Sequence, residues 1–165
     1  MIMYFCIYAI LGYFMESCYV SLFQRKFISS GLLYGPYIPL YGIGAIALIY
    51  ISPFIANSLY LTIIIGGITM TVIEYFASLY IEKVFHTNCW DYSHHFCQFQ
   101  GRICLIYFII WCLLSYLFIF YIHPFIICLI PYNDFTLIMS LLFILIVVKD
   151  TIKKLNVQRN NGIIV

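Results

Sequence analysis

Long apolar runs dominate this chain and limit what it can fold into. A helix that crosses the hydrocarbon core of a bilayer needs about 20 mostly apolar residues. In that environment only helices and closed barrels satisfy their own backbone hydrogen bonds. Five runs between polar breaks approach the required length, at residues 1–23, 39–54, 59–81, 103–121 and 135–148. The sequence therefore predicts an all-α fold, a polytopic membrane helical bundle of about five transmembrane helices that occupies residues 1–150.

The composition fits a multi-pass protein of the cell membrane and excludes several functions. Apolar residues make up 65% of the 165 residues and charged residues only 8%, whereas charged residues are roughly a quarter of a soluble domain. The chain has no GxxxxGK[ST] phosphate loop and no hydrolase motif, so any energy from ATP would have to come from a partner. The net charge of +2 is too small to indicate nucleic-acid binding. We expect no cofactor and no ATPase activity in the chain itself.

The basic residues predict how the bundle is oriented. Lys and Arg are enriched in cytoplasmic loops. With five spans, all of them fall on one side, as Arg25, Lys26, Lys83, Arg102, Lys149, Lys153, Lys154 and Arg159. We therefore predict that the N-terminus lies outside and the C-terminus in the cytoplasm. On this topology residues 82–102 form a cytoplasmic loop and residues 151–165 form a polar cytoplasmic tail.

The connection after the first span is unusually rich in glycine and proline. The residues concerned are Gly31, Gly35, Pro36, Pro39, Gly42 and Gly44. A plain helix cannot contain this pattern. One interpretation is a tight turn into the second span, with Pro39 in the first helical turn. The other is a short re-entrant segment at membrane depth, which is tolerated only where protein buries it or where it lines a cavity. Of the two, we expect the turn.

Glycines inside two other spans are expected to mark helix contacts. They are Gly12 in the first span and the pair Gly66 and Gly67 in the third. Small residues allow two helix backbones to approach closely inside a membrane. We predict packing at these positions and no chemical role.

Two acids lie inside predicted spans, Glu16 in the first and Glu74 in the third. Each costs at least ~2.5 kcal/mol at a helix centre, which makes such a residue a candidate for function. Glu16 precedes Arg25 by nine residues and Glu74 precedes Lys83 by nine, so both should lie at one depth, about 13 Å inward from the basic residues. Arg102 is the cation expected to bridge them. The three residues predict either a substrate path or a buried polar network.

The loop from Glu82 to Arg102 carries the other candidate residues. Its aromatic residues Phe85, Trp90 and Tyr92 are expected at headgroup level, as an aromatic belt. Asp91, followed by Tyr92 and Ser93, is expected to form an Asx-type turn or to cap a short interfacial helix.

The same loop contains zinc-donor side chains in an unsuitable pattern. These are His86, Cys89, His94, His95 and Cys97. Neither a CxxC pair nor an HExxH motif is present, so we predict no metal site.

Four motifs in order resemble a known family. They are GYFMES, RKFISSGLLYGPYIPLYGIGA, IEYFASLYIEKVFHTNCWDYS and QGRICL, spread over residues 12–111. The chain is similar to the type IV ABC-transporter family, also called CmpB-like, a group of small bacterial integral membrane proteins. The positions that match its motifs are Glu16, Gly31, Gly35, Pro36, Pro39, Tyr41, Gly42, Gly44, Glu74, Glu82, Phe85, Trp90, Asp91, Tyr92, Ser93, Gly101 and Arg102.

The resemblance implies a permease subunit that needs a separate ATPase. Five helices enclose little space, so we expect a homo-oligomer or a second membrane subunit. The loop would be the docking surface for the ATPase. The alternative is a membrane-embedded enzyme or accessory protein that acts on lipid or cell-envelope precursors, with a carboxylate as acid or base. A third possibility is a structural partner of another membrane protein.

Overall fold

Helices build most of the chain that the structure describes. The computed structural model describes residues 1–160. It contains α1 (Ile2–Gln24), α2 (Pro39–Ile55), α3 (Leu59–Phe85), α4 (Leu105–Leu117), a π-helical turn (Phe118–Ile122), α5 (His123–Leu129) and α6 (Asp134–Asn160). Within residues 1–160 the only β-type pairing is one isolated bridge between Phe99 and Ile103. The predicted all-α membrane bundle is confirmed.

Four helical stretches are long and apolar enough to cross a membrane. They are α1, α3, the continuous rod from Leu105 to Leu129, and α6. The rod is longer than the predicted fourth span, because α4, the π-helical turn and α5 follow one another without a break. Helix α6 continues to Asn160 and takes in ten residues of the predicted polar tail. The other five, residues 161–165, lie outside the described residues.

Neighbouring helices alternate in direction, and α6 runs with α1. The Cys6 thiol lies 3.6 Å from the backbone oxygen of Ser140, and further along both helices Ala9 shares a buried cluster with Val147. The described chain therefore begins at the end of the bundle where α2 meets α3. We call this the turn end. The described chain finishes at the opposite end, where α3 meets α4, which we call the loop end. Which end faces the cytoplasm stays a prediction.

The intramembrane glycines do mark helix contacts. A Cβ added to Gly12 would lie 2.2 Å from the ring of Tyr41, and one added to Gly66 would lie 2.6 Å from the Cβ of Ser115. These distances are far below van der Waals contact, so neither position can hold a larger side chain without a shift of the neighbouring helix. The predicted close packing at these glycines is confirmed, and the structure shows that it joins α1 to α2 and α3 to α4.

Gly67 offers a direct test of this packing. A Cβ at Gly67 would lie 2.3 Å from the Cys112 sulfur and 3.2 Å from the α4 backbone. We expect Gly67→Ala to lower the free energy of unfolding by about 1–3 kcal/mol, because the backbone cannot move aside as a flexible side chain would. Thermal unfolding in detergent measures this. Ile68→Ala is the control, since it trims only an exposed side chain on the next residue. Equal stability of both variants would contradict the packing.

The glycine- and proline-rich connection is a re-entrant segment, residues 26–38. It runs back along α1, with the Ile28 amide donating to Ser21 Oγ at 2.9 Å and the Ser30 amide donating to Ser17 Oγ at 3.0 Å. At its end the Ile38 amide donates to the backbone oxygen of Ala9 at 2.9 Å. At 1.5 Å per residue, this contact lies about 22 Å inward from the end of α1. The expected tight turn is therefore wrong.

The physical reason for this path is that α1 supplies hydrogen-bond partners for an extended backbone. Buried amides must be paired, and serines at positions 17 and 21 accept two of them. Helix α2 then starts inside the bundle, with Pro39 in its first turn. A Cβ at Gly42 would meet Phe5, and one at Gly44 would meet the Met70 side chain. The first turns of α2 are thus wedged between α1 and α3.

Candidate functional site

Glu74 is a buried acid that joins three parts of the chain. Its residue surface is only 4% exposed. The Trp111 indole N–H of α4 donates to Glu74 Oε2 at 3.0 Å, and the Tyr92 hydroxyl of the loop donates to Glu74 Oε1 at 3.0 Å. Burying a carboxyl group is expensive unless donors replace its water. Each oxygen of Glu74 has one such donor, from a different element.

Glu16 lies in the same region and contacts the re-entrant segment. It is half-buried, and its Oε1 accepts a hydrogen bond from the Ser30 hydroxyl. The half-buried Tyr41 side chain packs on α1 one turn before Glu16. Its ring centroid lies 6.1 Å from that of Trp111, the donor to Glu74. We call Glu16, Tyr41 and Glu74 the acid layer. It brings together α1, the start of α2 and α3.

Arg102 does not join the acid layer. Its guanidinium forms an ion pair with Glu82 and donates to the Ser78 hydroxyl at 2.9 Å. Among the described residues it has no ion pair with Glu16 or Glu74, so its predicted role as a bridge between them is wrong. Glu82 lies about two turns beyond Glu74 towards the loop end of α3. It is nearly half exposed, so pairing there costs less desolvation than pairing at the buried acid.

The loop after α3, residues 86–104, is held by hydrogen bonds of its motif residues. The Trp90 indole N–H donates to the backbone oxygen of Arg102 at 2.9 Å, and the Tyr92 amide donates to the oxygen of Gly101 at 2.8 Å. Gly101 has φ +67°, and a Cβ there would lie 2.8 Å from Asp91 Oδ1. This left-handed backbone favours glycine, and the short distance to Asp91 leaves no room for a Cβ. The two ends of the loop are therefore fixed to each other.

Asp91 forms the predicted Asx turn. Its Oδ1 accepts a hydrogen bond from the Ser93 amide at 2.9 Å. This confirms the interpretation of Asp91, Tyr92 and Ser93 as a turn.

The three residues of the predicted aromatic belt are buried or half-buried, and their position relative to the headgroups stays a prediction. Phe85 is buried in the last turn of α3. Tyr92 stacks on Tyr107 with 4.5 Å between ring centroids, and burial raises the pKa of its hydroxyl, with the nearby Glu74 carboxylate acting in the same direction. Trp90 is half-buried. Two other aromatic side chains project from the loop, Phe96, which is 78% exposed, and Phe99, which is 55% exposed.

The zinc-donor side chains of the loop stay apart. His86 ends α3 as its C-terminal cap, and Cys89 and Cys97 are exposed. Within residues 1–160 no three His, Cys, Asp or Glu side chains are grouped so that they could hold a metal ion.

Asp150 of α6 fixes the re-entrant segment from the other side. Its Oδ2 accepts hydrogen bonds from the Tyr34 amide at 2.9 Å, the Gly35 amide at 3.1 Å and the Tyr37 hydroxyl at 2.8 Å. Lys153 and Lys154 lie over the Tyr34 ring, with each Nζ about 5 Å from its centroid. The segment is thus held between serines of α1 and one carboxylate of α6.

A comparison with protein families decides what kind of chain this is. Residues 3–155 match the family model described as "Putative ABC-transporter type IV". The chain belongs to this family. No curated protein and no solved structure matches it. The matched region of this type IV ABC-transporter chain includes the re-entrant segment, the acid layer, the loop and Asp150.

Next to the acid layer, the chain contains an apolar cavity of about 300 Å³. Tyr41 of the acid layer and Trp111, the donor to Glu74, both belong to its lining. The cavity and the two acids are therefore parts of one continuous region inside the bundle.

Several residues of this region were missed by sequence reasoning. Trp111 and Ser30, the donors to the two acids, lie in an apolar run and in the glycine-rich connection, where neither has a distinctive pattern. Asp150 did have a signal, because it is an acid among lysines in the last helix. Its partners lie more than a hundred residues earlier in the chain, and sequence spacing does not show such a pairing.

The pH dependence of the loop turn can be predicted from Asp91. The hydrogen bond from the Ser93 amide holds the pKa of this exposed carboxyl below its usual value of 3.8. Because the pKa is lower in the folded state than in the unfolded state, the ionised carboxylate stabilises the turn at pH values above the unfolded-state pKa. This stabilisation is lost as the pH falls through the folded-state pKa. We expect carboxyl NMR to give a titration midpoint below 3.8 for Asp91. Ser93→Pro removes the donating N–H and should raise the midpoint; an unchanged midpoint would contradict the assignment.

Proposed function

We propose that this chain is a permease subunit of an ABC transporter in the cell membrane, which takes its energy from a separate ATPase. The observation that carries the proposal is the re-entrant segment, which makes α2 begin inside the bundle beside Glu16 and Glu74. Interrupted helices that start near the middle of the membrane build the substrate sites of many transporters. Irregular backbone at such depth is tolerated where it is buried or lines a cavity.

The acid layer is the proposed wall of the substrate path. Two carboxyl groups inside a bundle favour a cation, a proton or a hydrogen-bond donor on the molecule that passes them. Glu16 is the more accessible of the two, since it is half-buried while Glu74 is only 4% exposed. On this proposal Glu16 meets the substrate, and Glu74 holds the path in shape through Trp111 and Tyr92.

The loop is the proposed docking surface for the ATPase, on the predicted orientation with the loop end in the cytoplasm. Trp90 and Asp91 fix its shape through bonds within the loop. Phe96 is its most exposed aromatic side chain. Exposed aromatic residues are frequent anchors of protein interfaces.

The test is copurification of the full-length tagged chain from its own membranes, followed by identification of any partner with a phosphate-loop motif. We expect an ATPase with wild type and at least a tenfold loss, about 1.4 kcal/mol of binding, with Phe96→Ser. Phe54→Ser is the matched control, because Phe54 is 80% exposed at the opposite end of the bundle. An ATPase that is absent from wild type, or lost equally from both variants, would contradict the proposal.

More than one copy, or a second membrane subunit, would complete the path. One chain provides four long apolar helices and the shorter α2, which leave room for a cavity and not for an aqueous channel. We therefore propose an oligomer.

A second candidate function is supported by the apolar cavity beside the two acids. A membrane enzyme or accessory protein for lipid or cell-envelope precursors would place the precursor's chain in such a cavity and use a carboxyl group as acid or base. In that case Glu16→Gln or Glu74→Gln would abolish product formation, and no ATPase would copurify. In a structural partner, the same changes would weaken assembly and leave activity of the complex intact.

A further inference from the structure

The apolar cavity lies over α2, between α1 and α4. Helix α1 contributes four lining residues, α2 three, α3 one, and α4 with the π-helical turn five. The cavity is open on one side, where Leu11 and Met15 of α1 and Ile122 of the π-helical turn remain exposed.

Two hydrogen bonds join α1 to the rod formed by residues Leu105 to Leu129, one on each side of this opening. Towards the turn end, the Tyr8 hydroxyl bonds His123 Nδ1 at 2.8 Å. Towards the loop end, the Tyr19 hydroxyl bonds the Tyr107 hydroxyl at 3.1 Å. The opening between them faces sideways out of the bundle, at the depth of the membrane-spanning helices.

The chemistry of the lining selects what can occupy the cavity. Almost all of its surface is apolar, and apolar cavities of comparable size stay dry and take up hydrocarbons. Its volume of about 300 Å³ lies at the lower limit for ligand pockets. Ser115 is fully buried in the wall, and its hydroxyl has no hydrogen-bond partner among the described residues. Hydrocarbon is also the medium that surrounds a sideways opening at this depth.

We propose that the cavity is a binding site for one hydrocarbon chain of a membrane lipid, which enters sideways between α1 and α4. The π-helical turn contributes to both the inner wall and the opening, because it supplies the buried Phe118 and the exposed Ile122. Insertions of this kind into α-helices are frequent at functional sites. The site goes beyond the permease proposal and does not depend on an ATPase partner. Its occupant is either the acyl chain of a phospholipid or an isoprenyl chain, which share the same chemistry.

The two tryptophans of the chain allow a direct test. Trp111 lines the cavity and is only 7% exposed, and Trp90→Phe removes the other tryptophan. The full-length protein is reconstituted in vesicles of phosphatidylcholine with brominated acyl chains, since bromine quenches tryptophan at short range. We expect the Trp111 fluorescence to fall at least about twofold relative to unbrominated vesicles, because a bound chain reaches contact distance of the ring.

Variants that fill the cavity separate a bound chain from lipid outside the bundle. Ala45→Leu fills the cavity from α2, and Met15→Phe narrows the exposed opening without straining the core. Both should restore most of the fluorescence. Leu113→Phe, which adds the same bulk on the exposed face of α4, should not. If Ala45→Leu does not fold, the result with Met15→Phe alone decides whether the quenching comes from a chain inside the cavity. Absent quenching, or quenching that all three variants leave unchanged, would overturn the proposal.

A competition experiment distinguishes the two sources of the chain. Unbrominated polyprenyl phosphate is added to the brominated vesicles. Recovery of Trp111 fluorescence at a low mole fraction assigns the site to isoprenyl chains. Quenching that persists assigns it to the acyl chains of phospholipids. Either result supports a hydrocarbon-chain site, provided that Met15→Phe relieves the quenching.

Discussion

Glu74→Ala is expected to destabilise the folded bundle by about 2–4 kcal/mol. The change leaves the Trp111 indole and the Tyr92 hydroxyl as unpaired donors, each at a cost of about 1–3 kcal/mol. It also opens a cavity in a close-packed region. Part of this is offset, because removing a buried acid returns its desolvation cost of at least ~2.5 kcal/mol. The unpaired donors and the cavity together cost more free energy than the removal of the buried acid regains. Unfolding of the purified protein in detergent, followed by circular dichroism, measures the change.

Two further variants control for the loss of charge. Glu74→Gln removes the charge and keeps one acceptor oxygen, so we expect about half of the loss seen with alanine. Glu16→Ala should cost less than about 1.5 kcal/mol, because Glu16 is half-buried with a single hydroxyl partner and one neutral hydrogen bond is worth about 1 kcal/mol. If Glu74→Ala proved as stable as wild type, or less harmful than Glu16→Ala, then Glu74 would not hold α3, α4 and the loop together.

Asp150→Ala is expected to release the re-entrant segment and to lower stability by about 2–4 kcal/mol. It leaves two backbone amides and the Tyr37 hydroxyl without their acceptor. Hydrogen bonds to a charged group contribute about 1.5–3 kcal/mol each, and less where water can replace the partner. Amide hydrogen exchange measures the release of the segment directly. Protection of Tyr34 and Gly35 should be lost, while protection within α3 should remain.

Asp134→Ala is the matched control for Asp150. Asp134 is the same residue type on the same helix, and it lies at the exposed start of α6. We expect no change in exchange at Tyr34 or Gly35 with this variant. Protection at those two amides that survives Asp150→Ala would show that the serines of α1 hold the segment without help from α6.

The apolar runs were sufficient to predict where the helices lie but not how long they are, because the fourth continues to Leu129 and the last to Asn160. The sequence also indicated which acids belong together. Glu16 and Glu74 have the same spacing to the next basic residue, which predicts a common depth, and Tyr41 packs between the parts of the bundle that carry them. Spacing along a regular helix determines depth, so this kind of inference depends only on helix geometry.

Side-chain direction and long-range pairing could not be obtained in the same way. Glycine and proline suit a tight turn and a re-entrant segment equally, and the choice depends on Ser17, Ser21 and Asp150, which lie on other elements. Tyr92 has the composition of a belt residue but reaches inward to Glu74. Arg102 has a long side chain that can satisfy several acids, and only the fold of the loop decides that it meets Glu82.

The central claim is that the chain returns to mid-depth after α1 and that α2 begins there. It is tested most directly by disulfide crosslinking of Ala9→Cys with Ile38→Cys in protein whose seven native cysteines are replaced. The Ile38 amide lies 2.9 Å from the Ala9 oxygen, so the two Cα atoms are near enough for a disulfide, which needs about 4.4–6.8 Å. We predict rapid crosslinking of positions 9 and 38 and none between Gln24→Cys and Ile38→Cys. Crosslinking of 24 with 38, and none of 9 with 38, would mean a simple turn at the membrane surface and would contradict the account.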